Sequence, residues 1–160
     1  MTFASSLAPG SPYLQESLTK LKIILPVGKT LAWKLIATPK GITSWLLKKC
    51  LGDFTPKSDL IFTWPEGTTE RVRVVYVGAK HSSLQLDREN QSRLRFYLHG
   101  RMTTLTFEVE YRRCKRWRQL QASELAPWTF SLANLKSIAL GGPTLLNRTW
   151  DRTRTKGFVD

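Results

Sequence analysis

RLRFYLHGRMTTLTFEVEYRRCKRWRQL, residues 93–120, carries the pattern that decides the fold. Leu94, Phe96 and Leu98 alternate with Arg93, Arg95 and Tyr97. Beyond His99-Gly100, Leu105, Phe107, Val109 and Tyr111 alternate with Thr104, Thr106, Glu108 and Glu110. Successive side chains of a strand point to opposite faces, so each run reads as a strand with one face buried. A two-residue turn at His99-Gly100 predicts that Leu98 pairs with Arg101 and Leu94 with Leu105, which puts both apolar sets on one face of a hairpin. The second strand runs into Arg112, Arg113, Cys114, Lys115, Arg116, Trp117 and Arg118, five cations in seven positions around an indole. A cluster of one sign with an aromatic inside it is a place for an anionic surface.

Working outward toward the N-terminus, apolar runs at 20–25 and 30–37 flank Pro26-Val27-Gly28-Lys29. Leu31, Trp33 and Leu35 alternate with Ala32 and Lys34, which predicts a first hairpin. Thr38-Pro39 has the chemistry of a helix start, a hydroxyl cap followed by a proline whose missing N–H costs nothing there. Ile42, Trp45, Leu46 and Cys50 then recur at helical spacing, with Lys48 and Lys49 near the expected C-terminal end and Gly52 as its cap. Leu60, Phe62 and Trp64 lead through Pro65-Glu66-Gly67-Thr68 into the run 71–77, a second hairpin. Leu84 and Leu86 predict a short strand before an exposed loop at Asp87-Arg88-Glu89-Asn90.

Toward the C-terminus, residues 119–129 read as irregular around Pro127-Trp128. Ser131 caps a short helix bearing Leu132, Leu135, Ile138 and Ala139, which Gly141-Gly142-Pro143 ends. The sum is an α+β domain over residues 18–142, mostly antiparallel sheet with two or three helices packed on one face. Residues 1–17 read as a flexible arm whose anchors, Tyr13 and Leu14, are the candidates for self-association, and 143–160 as a basic tail.

The chain has 160 residues, 41% of them hydrophobic, and its 25 Lys and Arg against 12 Asp and Glu give a net charge of +13. Such an excess points to an anionic partner and says little about fold. Cys50 and Cys114 read as reduced thiols, with Cys50 buried. No window approaches 18 uncharged apolar residues, and the N-terminus lacks the basic and apolar regions of a signal peptide.

Catalytic patterns are absent from the sequence. The two histidines, His81 and His99, fall in a polar loop and a turn. No G-x-S-x-G, H-E-x-x-H or G-x-G-x-x-G pattern occurs, and Cys50, Cys114, His81 and His99 lack zinc-ligand spacing. Glu108 and Glu110 sit on the presumed solvent face of a strand. The expectation is a protein that is not an enzyme, with no catalytic residue, metal or cofactor.

The order of elements resembles the matrix proteins of rhabdoviruses and, more loosely, of other negative-strand RNA viruses. The resemblance rests on the N-terminal arm, on GITSWLLKKCLGDF at 41–54, on DLIFTWPEG at 59–67 and on FYLHGRMTTLTFEVEY at 96–111, and spans about residues 20–120. The family's N-terminal run of lysines and its P-P-x-Y or P-T-A-P motif are missing. The resemblance implies a virion protein, found in the host cytoplasm and at the inner face of a membrane. Such a protein self-associates as a homo-oligomer, binds anionic membrane and condenses viral ribonucleoprotein. In that reading Arg112, Arg113, Lys115, Arg116 and Arg118 face phosphates, Trp117 wedges at headgroup level, and Lys48 and Lys49 add to the field. The alternative is a small viral RNA-binding protein that sets Arg93, Arg95 and the cationic cluster on the RNA backbone and stacks bases on Tyr97 or Trp117.

Overall fold

The computed structural model describes residues 17–145. Its order is β1 (Leu18–Ile24), α1 (Lys29–Ile36), α2 (Pro39–Trp45), β2 (Lys49–Leu51), β3 (Asp59–Thr63), β4 (Thr69–Val77), β5 (Ser83–Arg88), β6 (Arg93–His99), β7 (Thr104–Glu110) and α3 (Trp117–Ala139). The strands form one antiparallel sheet in the order β1-β7-β6-β5-β4-β3-β2, with the helices gathered on one face. This is the α+β architecture that the alternation implies. Tyr13 and Leu14, the rest of the arm up to residue 16, and the tail from residue 146 lie outside the described residues.

The β6–β7 hairpin forms, in a different register. Leu98 pairs with Leu105 and Leu94 with Val109, so the register is displaced by four residues from the tight-turn expectation. The reason lies at the tip. Gly100 takes φ +87°, and the following residues reach over to the β1–α1 link, where Leu25 N donates to Thr103 O at 2.8 Å and Thr103 Oγ1 donates to Val27 O at 2.6 Å. A displacement by an even number leaves every side chain on its expected face. Leu94, Phe96, Leu98, Leu105, Phe107 and Val109 are therefore all buried, each worth about 1.5–3 kcal/mol of apolar transfer.

Residues 29–36 are a helix and not the second arm of a hairpin. Ala32, Trp33 and Ile36 face the core while Leu31 is 49% exposed, so the buried set has a helical period. α2 opens as expected, with Thr38 Oγ1 accepting from Gly41 N at 3.0 Å and donating to Lys34 O at 2.6 Å, which binds the two helices together. A Cβ on Gly41 would fall 1.8 Å from Lys34 O, so only glycine permits this approach. The helix then stops at Trp45, well short of Gly52. Leu46 and Leu47 are both buried, and the chain turns into β2 with Cys50 facing inward opposite Phe62.

The largest departure is α3. Residues 117–139 form one helix with Pro127 in its interior, where an irregular stretch and a short helix are expected from sequence. An interior proline forfeits a backbone hydrogen bond and costs about 3 kcal/mol. Burial of Trp128, Leu132 and Leu135 against the sheet and α2 offsets it. Asn134 Nδ2, also buried, donates to Trp45 O at 2.8 Å and fixes the helix over α2.

Candidate functional site

Between β7 and α3 the chain makes a tight link that holds the cationic cluster. Tyr111 N donates to Ser17 O and Cys114 N to Tyr111 O, both at 2.8 Å, and Tyr111 and Cys114 are buried. The strand ends at Glu110, and Arg116, at φ 55°, opens α3 with no side-chain cap and no acidic residue in the first turn. With Cys114 as the inward pin, Arg112, Arg113, Lys115, Arg116 and Arg118 are all exposed. No ion pair joins Arg112, Arg113, Lys115 or Arg116 to an acidic side chain among the described residues. Trp117 is half-buried against the core, and the Arg118 guanidinium stands 4.6 Å from its ring centroid. The positive end of the α3 dipole adds to the same field.

Beside this link is a cleft of about 240 Å³ lined by Asp87, Arg88, Gln91, Arg93, Glu110 and Arg113. Arg88 is the residue that sequence reasoning missed. In place of an exposed loop position, it is the last residue of β5, its side chain only 11% exposed. Its Nε donates to Glu70 Oε1 at 2.8 Å and its Nη1 to Glu124 Oε2 at 2.9 Å, while the guanidinium lies 5.1 Å from the Trp64 ring and 5.9 Å from that of Trp128. Burial works against its charge, but the Glu124 and Glu70 carboxylates outweigh burial and raise its pKa. One cation is shared by two carboxylates. Burial of Glu124 therefore outweighs the help from Arg88, and its carboxyl is pushed above the usual range. Burial and the nearby Glu124 charge likewise raise Tyr111, whose hydroxyl accepts from Trp128 Nε1 at 3.1 Å. Deeper under α3 the space is filled by aromatic rings: Trp128 packs 6.0 Å from Trp64 and 5.0 Å from Phe107, which in turn meets Phe96 at 5.0 Å.

A sheet of seven antiparallel strands, two short helices after the first strand and a long closing helix laid over the aromatic core is the arrangement against which solved structures compare. DynU16, a protein of the dynemicin biosynthetic locus, superposes with TM-score 0.68 at 16% identity over 79% of this chain, which spans 49% of DynU16. The AHSA1-like protein of Aeromonas hydrophila superposes with TM-score 0.62 at 14% identity, over 78% of this chain and 94% of that one. The Aha1 dimer of Colwellia psychrerythraea gives 0.66 at 14%, over 76% and 95%. The chain has the AHSA1-like fold. No protein-family model matches the sequence, and no curated protein does.

The AHSA1-like fold corrects the likeness to rhabdovirus matrix proteins, and with it the viral assembly function and the viral RNA-binding alternative. The likeness rested on element order and alternation, and its central piece, residues 41–54, proves to be the end of α2, the strand β2 and the turn after it.

Of the expected site residues, the fold brings together Arg112, Arg113, Lys115, Arg116, Trp117 and Arg118. Lys48 and Lys49 are exposed but stand at the β2 edge of the sheet, five strand spacings from β7. That is roughly 24 Å along the sheet, beyond a Debye length of about 8 Å. They do not join the same field. Arg93 and Arg95 are no basic face, because Arg93 is held bidentate by Asp87 at 2.6 and 2.9 Å and Arg95 by Glu110 at 2.7 Å. Tyr97 stands on that outer face, 37% exposed. Alternation was the signal for Arg88: with Leu84 and Leu86 inward, Arg88 shares their side, as Glu70 shares that of Val72 and Val74.

Proposed function

We propose that this protein is a non-catalytic binding module that offers its β7–α3 link to an acidic polypeptide. What supports the reading is one observation: Arg112, Arg113, Lys115 and Arg116 stand exposed, with no ion-pair partner among the described residues, on a link whose backbone is pinned by buried Tyr111 and Cys114. Cations held together on a rigid element need little ordering to meet a partner, so the contact gives affinity as well as specificity. The partner class follows from Trp117. Half-buried, with Arg118 stacked on its ring, it is not presented for insertion among lipid headgroups or between bases. An acidic segment needs only the charges.

The test is fluorescence anisotropy with a labelled ten-residue glutamate peptide. Binding is expected, with a loss of at least tenfold when Arg112, Arg113 and Arg116 are replaced by Glu, and a progressive loss as added salt shortens the screening length from about 8 to 3 Å. Anionic and neutral vesicles form the control arm, each pelleting little protein. Equal peptide binding by wild type and the triple variant, or strong pelleting with anionic vesicles alone, would contradict the reading.

A further inference from the structure

We propose that the outward side of α3 docks a helix of the acidic partner, one with an apolar centre between acidic ends. The proposal rests on the acidic-partner reading and deepens it, since it names the part of that partner that lies beyond the β7–α3 link.

α3 is apolar on both of its sides. Trp128, Leu132 and Leu135 are buried against the rest of the molecule. Ala122, Leu125, Ala126, Thr129, Phe130 and Ala133 are exposed, Leu125 at 48% and Phe130 at 46%. Residues 125–135 hold no charged side chain, in a chain of which 23% is charged. A helix packed on one side ordinarily turns charge toward water on the other, so an uncharged outward side fits a helix that is covered there as well.

The shape suits a second helix. Spacings of three and four keep the six positions on one side, and from Ala122 to Ala133 the helix rises about 16 Å, three turns. Leu125 and Phe130 stand about 140° apart around the axis, and the three alanines fall between them. The result is a shallow channel with an alanine floor, which lets another backbone come close between two ridges.

Charge decides the occupant. Arg118 and Lys136, both exposed, are 18 positions apart, five turns of 3.6 residues, so they mark the two ends of the same side. The exposed Arg112, Arg113, Lys115 and Arg116 lie just beyond the first end. A second copy of this chain laid along the channel in either direction brings cation to cation. A lipid surface gains little, because only two of the six side chains are large enough to insert. A helix with an apolar centre and acidic ends satisfies the channel and both sets of cations at once.

The experiment titrates the full chain, by fluorescence anisotropy, with two labelled helical peptides. Each has four glutamates at either end and a central run of alanine that carries, at spacings of three and four, leucines in one peptide and glutamines in the other. The leucine peptide is expected to bind at least tenfold more tightly. Leu125→Gln together with Phe130→Gln, at exposed positions that do not endanger folding, should remove that gain and leave binding of the ten-residue glutamate peptide unchanged. Equal binding of the two peptides, or a gain that survives the double variant, overturns the proposal. So does pelleting with vesicles of equal parts phosphatidylserine and phosphatidylcholine, or a dimer in sedimentation, that wild type shows and the double variant loses, since the channel then belongs to lipid or to a second copy. Failure of the ten-residue glutamate peptide to bind, with the leucine gain still dependent on Leu125 and Phe130, overturns only the reading of the link.

Discussion

Arg88 in β5 donates through Nη1 to both oxygens of Glu124 in α3, at 2.9 and 3.3 Å, so a buried ion pair ties the long helix to the sheet. With Glu70 on its Nε, the arginine is the one cation between two carboxylates whose side chains are only 12% and 16% exposed.

Removing the shared cation strands both acids. Arg88→Met is expected to cost about 3–5 kcal/mol in urea unfolding, because breaking a buried pair leaves uncompensated charge. Adding Glu70→Gln and Glu124→Gln to the same chain should restore most of it. A loss under about 1 kcal/mol for Arg88→Met would show that water already solvates the cluster.

Glu124 sets a pH dependence of definite sign. Its carboxyl is raised in the folded state, chiefly by burial, so its contribution to stability is fully present below the unfolded value of about 4.3 and is lost as pH rises through the folded value. Glu124→Gln removes that loss. The variant's stability relative to wild type should therefore grow as pH is raised from 4 to 8 in paired urea titrations. A difference that stays flat or shrinks would contradict the assignment.

How much of this was legible follows from which side chains alternate. β6 and β7 were readable because Leu94 to Leu98 and Leu105 to Val109 keep strict period two, and their faces survived an error in turn length because the displacement was even. Leu31, Trp33 and Leu35 alternate just as well, yet Ala32 and Ile36 face the core; a small residue and a β-branched one four apart gave too faint a stripe to compete. Pro127 made residues 119–129 look broken, since local propensity cannot register the packing of Trp128 and Leu132 that overrides it. The cationic link was plain in the sequence. Arg88 was missed because a charged residue next to Asp87, Glu89 and Asn90 reads as a solvated loop, although its parity with Leu84 and Leu86 points inward.

Both thiols should be slow. Burial pushes Cys50 up to about 11, and burial with the Glu124 charge also raises Cys114, even though Arg113 and Lys115 flank it in sequence. Ionisation alone then makes Cys50 roughly 200-fold slower than a free thiol of pKa about 8.5 toward a disulfide reagent at pH 8. Fast labelling of either cysteine in the native state, at the rate seen in urea, would mean that the β7–α3 link or the β2 edge opens readily.

The claim on which the functional reading stands is that the link between β7 and α3, and no other basic part of the molecule, meets the acidic partner. Amide chemical-shift mapping during titration with the ten-residue glutamate peptide tests it most directly. Shifts concentrated at residues 112–118 and the first turn of α3 are predicted, with Lys48, Lys49, Lys20 and Lys22 unmoved. Shifts spread over those lysines, or confined to them, would contradict the account.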